Sequence, residues 1–181
     1  MGNNINKDQN FLSTVSDILE HDEFLKTKDI VHHGMNRYDH SVKVAYYSYK
    51  MAKVFNLDEK EVARGALLHD FFLENQGELS FIEKQKLIVS HPKNAYENAA
   101  KYFDINEKQK DMILSHMWPF SPRIPRYLES WIVDLADDYV SINERVKVTS
   151  SSLVVATNFL LLLYINCFSY ANIFSVLKYF K

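Results

Sequence analysis

The chain contains few of the residues that cross-link a polypeptide or interrupt its helices. Its 181 residues include one cysteine, Cys167, four glycines and four prolines. A single cysteine excludes an intramolecular disulfide and any zinc site built from several thiolates. Because glycine and proline mark turns, their scarcity argues against a turn-rich β-sandwich and favours long helices.

The charge balance is close to neutral and indicates no polyanionic partner. The formal net charge is −2, and a protein without a basic field does not attract nucleic acid by its overall charge. The first ten residues are polar and lack the apolar stretch of a secretory signal peptide. Together with the low cysteine content, this predicts a cytoplasmic protein.

A long segment without charge follows Lys147. No Asp, Glu, Lys or Arg occurs from Val148 to Leu177, a length sufficient to span a bilayer. Asparagines and serines interrupt the segment, and its most apolar part, Leu153–Ile165, is too short to cross. We therefore favour a helical segment that packs on the domain or faces a partner, such as a second copy in a homodimer. A membrane contact through 148–177 is the less favoured alternative.

The length fits one domain, and hydrophobic periodicity predicts successive amphipathic helices with no strand pattern. The predicted helices cover residues 11–26, 39–56, 58–70, 81–90, 92–102, 106–117 and 125–146. Asp39 and Asp58 are the expected N-caps of two of them, with Glu61 completing a capping box and Pro92 in a first turn. The expected fold is all-α, a single helical bundle. It comprises an N-terminal helical segment at 1–30, a central domain at 31–147 and the apolar segment at 148–181.

Four histidines on consecutive predicted helices are the most informative residues. They are His40, His69, His91 and His116. The accompanying aspartates are Asp70, directly after His69, and Asp134, Asp137 and Asp138 within an apolar run. Charged groups on buried faces are costly unless they are paired or bind a metal. A single interior histidine is usually a hydrogen-bonded core residue, so only the ordered set carries functional information.

That ordered set resembles the H…HD…H…H…D pattern of the HD-domain superfamily of metal-dependent phosphohydrolases. The family's first histidine helix is matched by residues 37–45 (RYDHSVKVA), its signature by 67–70 (LLHD) and its closing aspartate by 135–137 (LAD). Residues 63–73 and 115–119 look particularly like a group of small bacterial HD proteins. The resemblance covers about residues 30–146, excludes the charge-free segment, and implies a helical bundle of the HD type.

The resemblance also implies a centre with two metal ions. His40, His69 and Asp137 would hold the first ion, His91 and His116 the second, and Asp70 would bridge them. A set rich in nitrogen and carboxylate ligands favours iron or manganese, with zinc, nickel or cobalt still open. The implied activity is hydrolysis of a phosphate ester of a nucleotide or another phosphorylated small metabolite, by a hydroxide that the ions activate.

Basic residues are expected beside such a centre, because the phosphoryl oxygens carry negative charge. Lys43 is the first choice for catalysis and substrate binding, alongside Asp70 as the catalytic carboxylate, since Lys43 lies three residues after His40 on one helical face. The weaker candidates for substrate binding are Arg64, Lys93, Arg123 and Arg126. Trp118 is a candidate to stack on a base, with core packing as the alternative.

Two other functions use the same residues. Some HD-fold proteins that resemble this pattern are mixed-valent di-iron oxygenases that cleave C–C or C–P bonds, and the ligand pattern does not exclude that chemistry. A non-catalytic, metal-binding regulatory module is the second alternative. The lack of a recognisable second domain weakens it.

Overall fold

A computed structural model describes residues 5–32, 35–73 and 81–148, with side chains described outside 31–32, 81–88 and 147–148. The helices are α1 Gln9–Leu19, α2 Asp22–Leu25, α3 Arg37–Val54, α4 Glu59–Leu68, α5 Phe81–Tyr102, α6 Glu107–Ser115 and α7 Leu128–Val148. A 3-10 turn (Lys26–Asp29) and an antiparallel pair of short strands, β1 Val31–His32 and β2 Met35–Asn36, join α2 to α3. The fold is all-α, as predicted.

The predicted charge-free segment lies, from residue 149 onward, outside the described residues. Within the described ranges, the structure contains no helix that is both long enough and apolar enough to cross a membrane.

The core lies between α3 and α4 and the helices that cover them. Helix α3 packs against α4 and α7, while α4 packs against α6 and α1. Helix α1 contributes Phe11, Val15 and Ile18, which are fully buried. Their spacing of four and three residues places them on one helical face. Residues of the predicted N-terminal segment therefore share one core with the central domain.

Gly65 lies where α4 meets α6. A Cβ atom at this position would overlap Sδ at the end of the Met112 side chain and lie 3.5 Å, an ordinary contact distance, from the Cα of Gln109. The two helices therefore pack closely here, with the Met112 side chain against Gly65. Each helix is followed by a histidine at its C-cap, His69 after α4 and His116 after α6. The centroids of the two imidazole rings are 4.8 Å apart. The close approach thus brings the two helix C-termini and their histidines together.

Two helix starts differ from the sequence prediction for local reasons. The predicted helix at 11–26 is interrupted after Leu19, because His21 caps a separate α2 by accepting a hydrogen bond from the backbone N–H of Glu23 at 3.2 Å. The N-cap of α3 is Asn36 and not Asp39. Asn36 Oδ1 accepts the N–H of Asp39 at 2.7 Å, which places Asp39 in the first turn, where its charge favours the helix dipole.

The predicted helices at 81–90 and 92–102 are one helix, α5, with Pro92 inside it. An interior proline removes a backbone hydrogen bond and costs about 3 kcal/mol. Pro92 is buried together with His91, Ala95 and Ala99, and this tertiary packing offsets the cost. The predicted cap at Asp58 is confirmed, since its carboxylate accepts the N–H groups of Lys60 and Glu61 at 3.0 Å each.

Asp111 of α6 anchors the proline-containing connection that leads from His116 to α7. Its buried carboxylate accepts hydrogen bonds from the Ser130 hydroxyl and the Arg126 backbone N–H, both at 2.8 Å, and from the Arg123 guanidinium at 3.3 Å. Two donors from the connection and one from the first turn of α7 thus converge on a single carboxylate, which fixes the start of α7 relative to the end of α6.

We expect Asp111→Ala to lower the free energy of unfolding by about 3 kcal/mol, because it removes a charged acceptor and leaves buried donors unsatisfied. Urea denaturation followed by circular dichroism measures this change. Asp104→Ala, which removes an exposed carboxylate just before α6, is the matched control and should stay within about 0.5 kcal/mol of the wild type. Equal stabilities of the two variants would contradict the anchoring role.

Candidate metal centre

The structure brings together the six side chains that the sequence predicts as metal ligands. They come from five helices: His40 from α3, His69 and Asp70 from the end of α4, His91 from α5, His116 from the end of α6, and Asp137 from α7. All are buried except Asp137, whose side chain is 14% exposed. A cluster drawn from five separated segments depends on the tertiary fold, because no two of the four histidines are closer than 22 residues in the chain.

One group of possible ligands consists of His40, His69 and Asp137. The Oδ1 atom of Asp137 lies 2.9 Å from His40 Nε2 and 3.7 Å from His69 Nε2. The Nε2 atom of His69 is buried and has no hydrogen-bond partner among the described residues. Buried polar atoms are nearly always satisfied, so this nitrogen is suited to donate its lone pair to a cation.

A second group consists of His69, Asp70 and His116, and His91 adjoins it. Asp70 Oδ1 lies 3.5 Å from His91 Nε2 and 3.7 Å from His116 Nε2. The two Nε2 atoms of His91 and His116 are 3.0 Å apart. His69 belongs to both groups, and Asp70 lies between His69 and the His91–His116 pair. The two groups are therefore contiguous.

The other ring nitrogen of three histidines is held by the protein. The Nδ1–H group of His69 donates to the Ala66 carbonyl at 2.7 Å, and that of His116 donates to the Ile113 carbonyl at 2.8 Å. His40 Nδ1 lies 3.0 Å from Glu144 Oε2. Occupying Nδ1 in this way sets the tautomer and turns Nε2 towards the cluster, as second-shell partners do for metal-binding histidines.

The spacing of the donors fits a shared cation. Ligand atoms about 2.1 Å from an ion are about 3.0 Å apart when adjacent and at most about 4.2 Å apart when opposite. The separations in both groups, from 2.9 to 3.7 Å, lie in this range. The C-termini of α4 and α6, which carry partial negative charge, also meet here and favour a cation. The residues present therefore fit a metal site.

Burial and neighbouring charges shift the pKa values of three groups in the cluster in different directions. Burial lowers the pKa of His116 to about 3, with the neighbouring His69 and His91 adding to the effect, so this imidazole is neutral. Burial opposes the ionisation of Asp137, yet the hydrogen bond from His40 and the neighbouring His69 hold its pKa well below the ordinary value. Burial likewise opposes the protonation of His40, but its contacts with Asp137 and Glu144 raise the pKa to about 10.

The three aspartates on α7 have different environments. Burial, with the charge of Asp137 beside it, raises the pKa of Asp138 to about 7. Burial also raises the pKa of Asp134 well above the ordinary value, reinforced by Asp138 and Asp137. Only Asp137 of the three lies against the histidines and is held as a carboxylate, which distinguishes it as the ligand candidate on this helix.

Lys43, the first predicted basic residue, lies beside the cluster. Its Nζ atom is 3.3 Å from Glu144 Oε1 and 2.9 Å from Met35 Sδ, and its side chain is 28% exposed. Glu144 thus contacts both His40 and Lys43. Sequence reasoning assigned Glu144 no role. The available signal was its position seven residues after Asp137, which places the two on one face of α7.

The weaker basic candidates have other partners. Arg64 makes two hydrogen bonds to Asp17 of α1, at 2.6 and 2.8 Å, so its guanidinium has a partner within the protein. Lys93 is 74% exposed and faces Glu97 at 3.5 Å. Arg123 contacts Asp111, as does the backbone of Arg126. None of these contacts involves a member of the cluster.

Two aromatic contacts border the site. The Trp118 ring packs edge-on against Trp131, with the ring centroids 5.0 Å apart, and both residues are half-buried. Arg37, another residue to which sequence reasoning gave no role, is fully buried. Its guanidinium lies 3.6 Å from the centroid of the Phe72 ring and donates a hydrogen bond to the Phe72 carbonyl. Arg37 therefore anchors the segment that directly follows Asp70.

Comparison with known proteins identifies the fold. The family model described as the HD domain matches residues 37–141, more than half of the chain and a range that includes all six clustered residues. No curated protein and no solved structure matches the chain at a significant level. On the strength of the family match and of the buried His–Asp cluster, this chain belongs to the HD domain family, a superfamily of metal-dependent hydrolases.

Proposed function

We propose that this protein is a metal-dependent phosphohydrolase that cleaves a phosphate ester of a nucleotide or another phosphorylated small metabolite. The observation that carries the proposal is the convergence of His40, His69 and Asp137 with Asp70, His91 and His116 in two contiguous, buried groups. Contiguous groups that share His69 and each contain a carboxylate support a centre of two ions, with iron or manganese favoured.

Bound ions would supply an activated water and neutralise charge on the phosphoryl oxygens. The chain's own residues would orient the ligands and admit the substrate. Hydrogen bonds from His69 and His116 to backbone carbonyls of their own turns keep Nε2 directed at the centre. Asp137 and Lys43, with side chains 14% and 28% exposed, mark the accessible side. A substrate phosphate would enter there and meet the Lys43 ammonium.

We expect purified protein to bind about two equivalents of iron or manganese, and Asp70→Ala to lose at least one of them, because Asp70 is the carboxylate of the second group. Plasma mass spectrometry on protein prepared without chelator or a histidine tag measures the metal content. Asp104→Ala, with its exposed carboxylate, is the control and should bind as the wild type does. A folded wild-type protein that also refuses added metal would contradict the proposal.

We expect metal-loaded protein to release phosphate or a nucleoside product from at least one member of a panel of nucleotides, cyclic dinucleotides and sugar phosphates. Asp70→Ala should lower kcat by about 10³-fold, since loss of a metal removes several kcal/mol of charge stabilisation. Circular dichroism confirms that the variant is folded. Iron-dependent oxygen consumption without phosphate release would instead establish the oxygenase chemistry of some HD-fold proteins.

We expect Lys43→Ala to raise KM for the phosphorylated substrate by about tenfold at saturating metal, because a charge-assisted hydrogen bond contributes about 1.5–3 kcal/mol. Steady-state kinetics measures the change. Lys50→Ala removes an exposed lysine from the same helix and should leave KM unchanged. Equal KM values for wild type and Lys43→Ala would remove Lys43 from the substrate site.

A further inference from the structure

One face of α7 carries three polar side chains. One of them belongs to the first group of candidate ligands, and the other two contact that group. Asp137 lies against His40 and His69. Ser141, one turn later, donates its hydroxyl to Asp137 Oδ1 at 3.3 Å. Glu144 follows after a further turn, with Oε2 at 3.0 Å from His40 Nδ1. The spacing of four and three residues aligns all three on one helical face, so α7 provides both a ligand and the contacts that orient ligands.

His40 differs from His69 and His116 in what holds its Nδ1 atom. His69 and His116 lie at helix C-caps, where Nδ1–H reaches the carbonyl three residues earlier in the same turn. His40 is the fourth residue of α3, and its Nδ1 faces the Glu144 carboxylate from a different helix. A carboxylate only accepts hydrogen bonds, so His40 Nδ1 is the donor and Nε2 points at Asp137.

The Glu144 carboxylate is itself held in position. Its side chain is only 4% exposed, and burying an uncompensated charge is costly. One oxygen faces His40, and the other lies 3.3 Å from the Lys43 ammonium, whose own helix also carries His40. Both partners therefore lie one turn apart on α3. These contacts hold Glu144, and with it the end of α7, against α3.

From this arrangement we propose that Glu144 is a positioning residue for the first ion: it orients the His40 ring and strengthens Nε2 as a ligand. A charged acceptor at Nδ1 makes an imidazole a stronger donor than a neutral carbonyl does. The ion held by His40, His69 and Asp137 therefore depends on Glu144, whereas the ion beside His91 and His116 does not. The inference rests on the proposed two-ion centre and adds a difference between its two sites.

Isothermal titration of chelator-treated protein with Mn²⁺ tests the proposal. Glu144→Ala should weaken one of the two binding events by about 10- to 100-fold and leave the other unchanged. Glu144→Gln keeps an acceptor oxygen of the same reach but loses the charge, so its loss should be smaller. The matched control is Glu129→Ala, because Glu129 is also a buried glutamate of α7 and pairs with Lys108 at 2.6 Å, away from the histidines.

A spectroscopic measurement separates positioning from a general loss of stability. In Co²⁺-loaded protein, the Nδ1 proton of a ligand histidine gives a shifted NMR signal that persists only while an acceptor protects the proton from exchange. Glu144→Ala should lose one such signal, and Glu129→Ala should lose none even if its melting temperature falls as far.

The outcomes distinguish the role of Glu144 from the proposed function. Wild-type protein that binds two ions, with equal affinities in the Glu144 and Glu129 variants, would overturn the role of Glu144 and leave the proposed function intact. Weakening of both ions together in Glu144→Ala would also overturn it, since the proposal confines the effect to one site. Wild-type protein that binds no metal would overturn both.

Discussion

Each buried imidazole in this protein has to satisfy two ring nitrogens, and that requirement organises the structure around the cluster. His69 and His116 satisfy Nδ1 locally, because a histidine placed at the C-cap of a helix reaches a carbonyl of its own last turn. Their Nε2 atoms are then left to face the interior. Buried polar atoms are costly when unsatisfied. The packing of helices α3 to α7 therefore has to place partners beside these Nε2 atoms, and the five helices converge at the cluster.

The close approach of α4 and α6 at Gly65 is part of the same arrangement. It brings together two helix ends that carry both a histidine and the negative end of a helix dipole. Asp111 then fixes the connection from α6 to α7, so that Asp137 arrives opposite His40. Gly65 and Asp111 therefore support the cluster by positioning the helices that carry its residues.

Helix α7 contacts the two groups of candidate ligands unequally. Ser141 and Glu144 contact Asp137 and His40 of the first group. His91 and His116 instead contact Asp70 and each other, and the Nδ1–H group of His116 donates to the Ile113 carbonyl. Three aspartates lie close together on this helix, yet burial holds the carboxyls of Asp134 and Asp138 towards the neutral form, while His40 and His69 keep Asp137 ionised. Neighbouring residues of the same type thus acquire different charge states from their surroundings.

Much of the architecture could be predicted from local chemistry. Apolar periodicity predicted the helices. Asp58 was identified as a cap because Glu61 follows it by three residues, and its carboxylate accepts the N–H groups of Lys60 and Glu61. Local chemistry failed where tertiary packing outweighed it: at Pro92, which remains inside α5, and at His21, which divides the first helix. The ordered histidines and aspartates identified the family, because their sequence order is a property of the chain alone.

The partners of each charged side chain were decided by the tertiary structure. In the sequence Lys43 is the first choice for a phosphate ligand and Arg64 a weaker candidate. Packing of α1 on α4 pairs Arg64 with Asp17, whereas packing of α3 on α7 pairs Lys43 with Glu144. The role of Glu144 was not visible in the sequence for the same reason. A residue 104 positions from His40 contacts it only once the helices have packed. The sequence by itself determined that the fold is helical, the cap at Asp58 and the order of the candidate ligands, because these depend on the chain order and on neighbours within a few residues. Which groups meet, and in which charge state, depends on distance and burial, and only the folded chain supplies these.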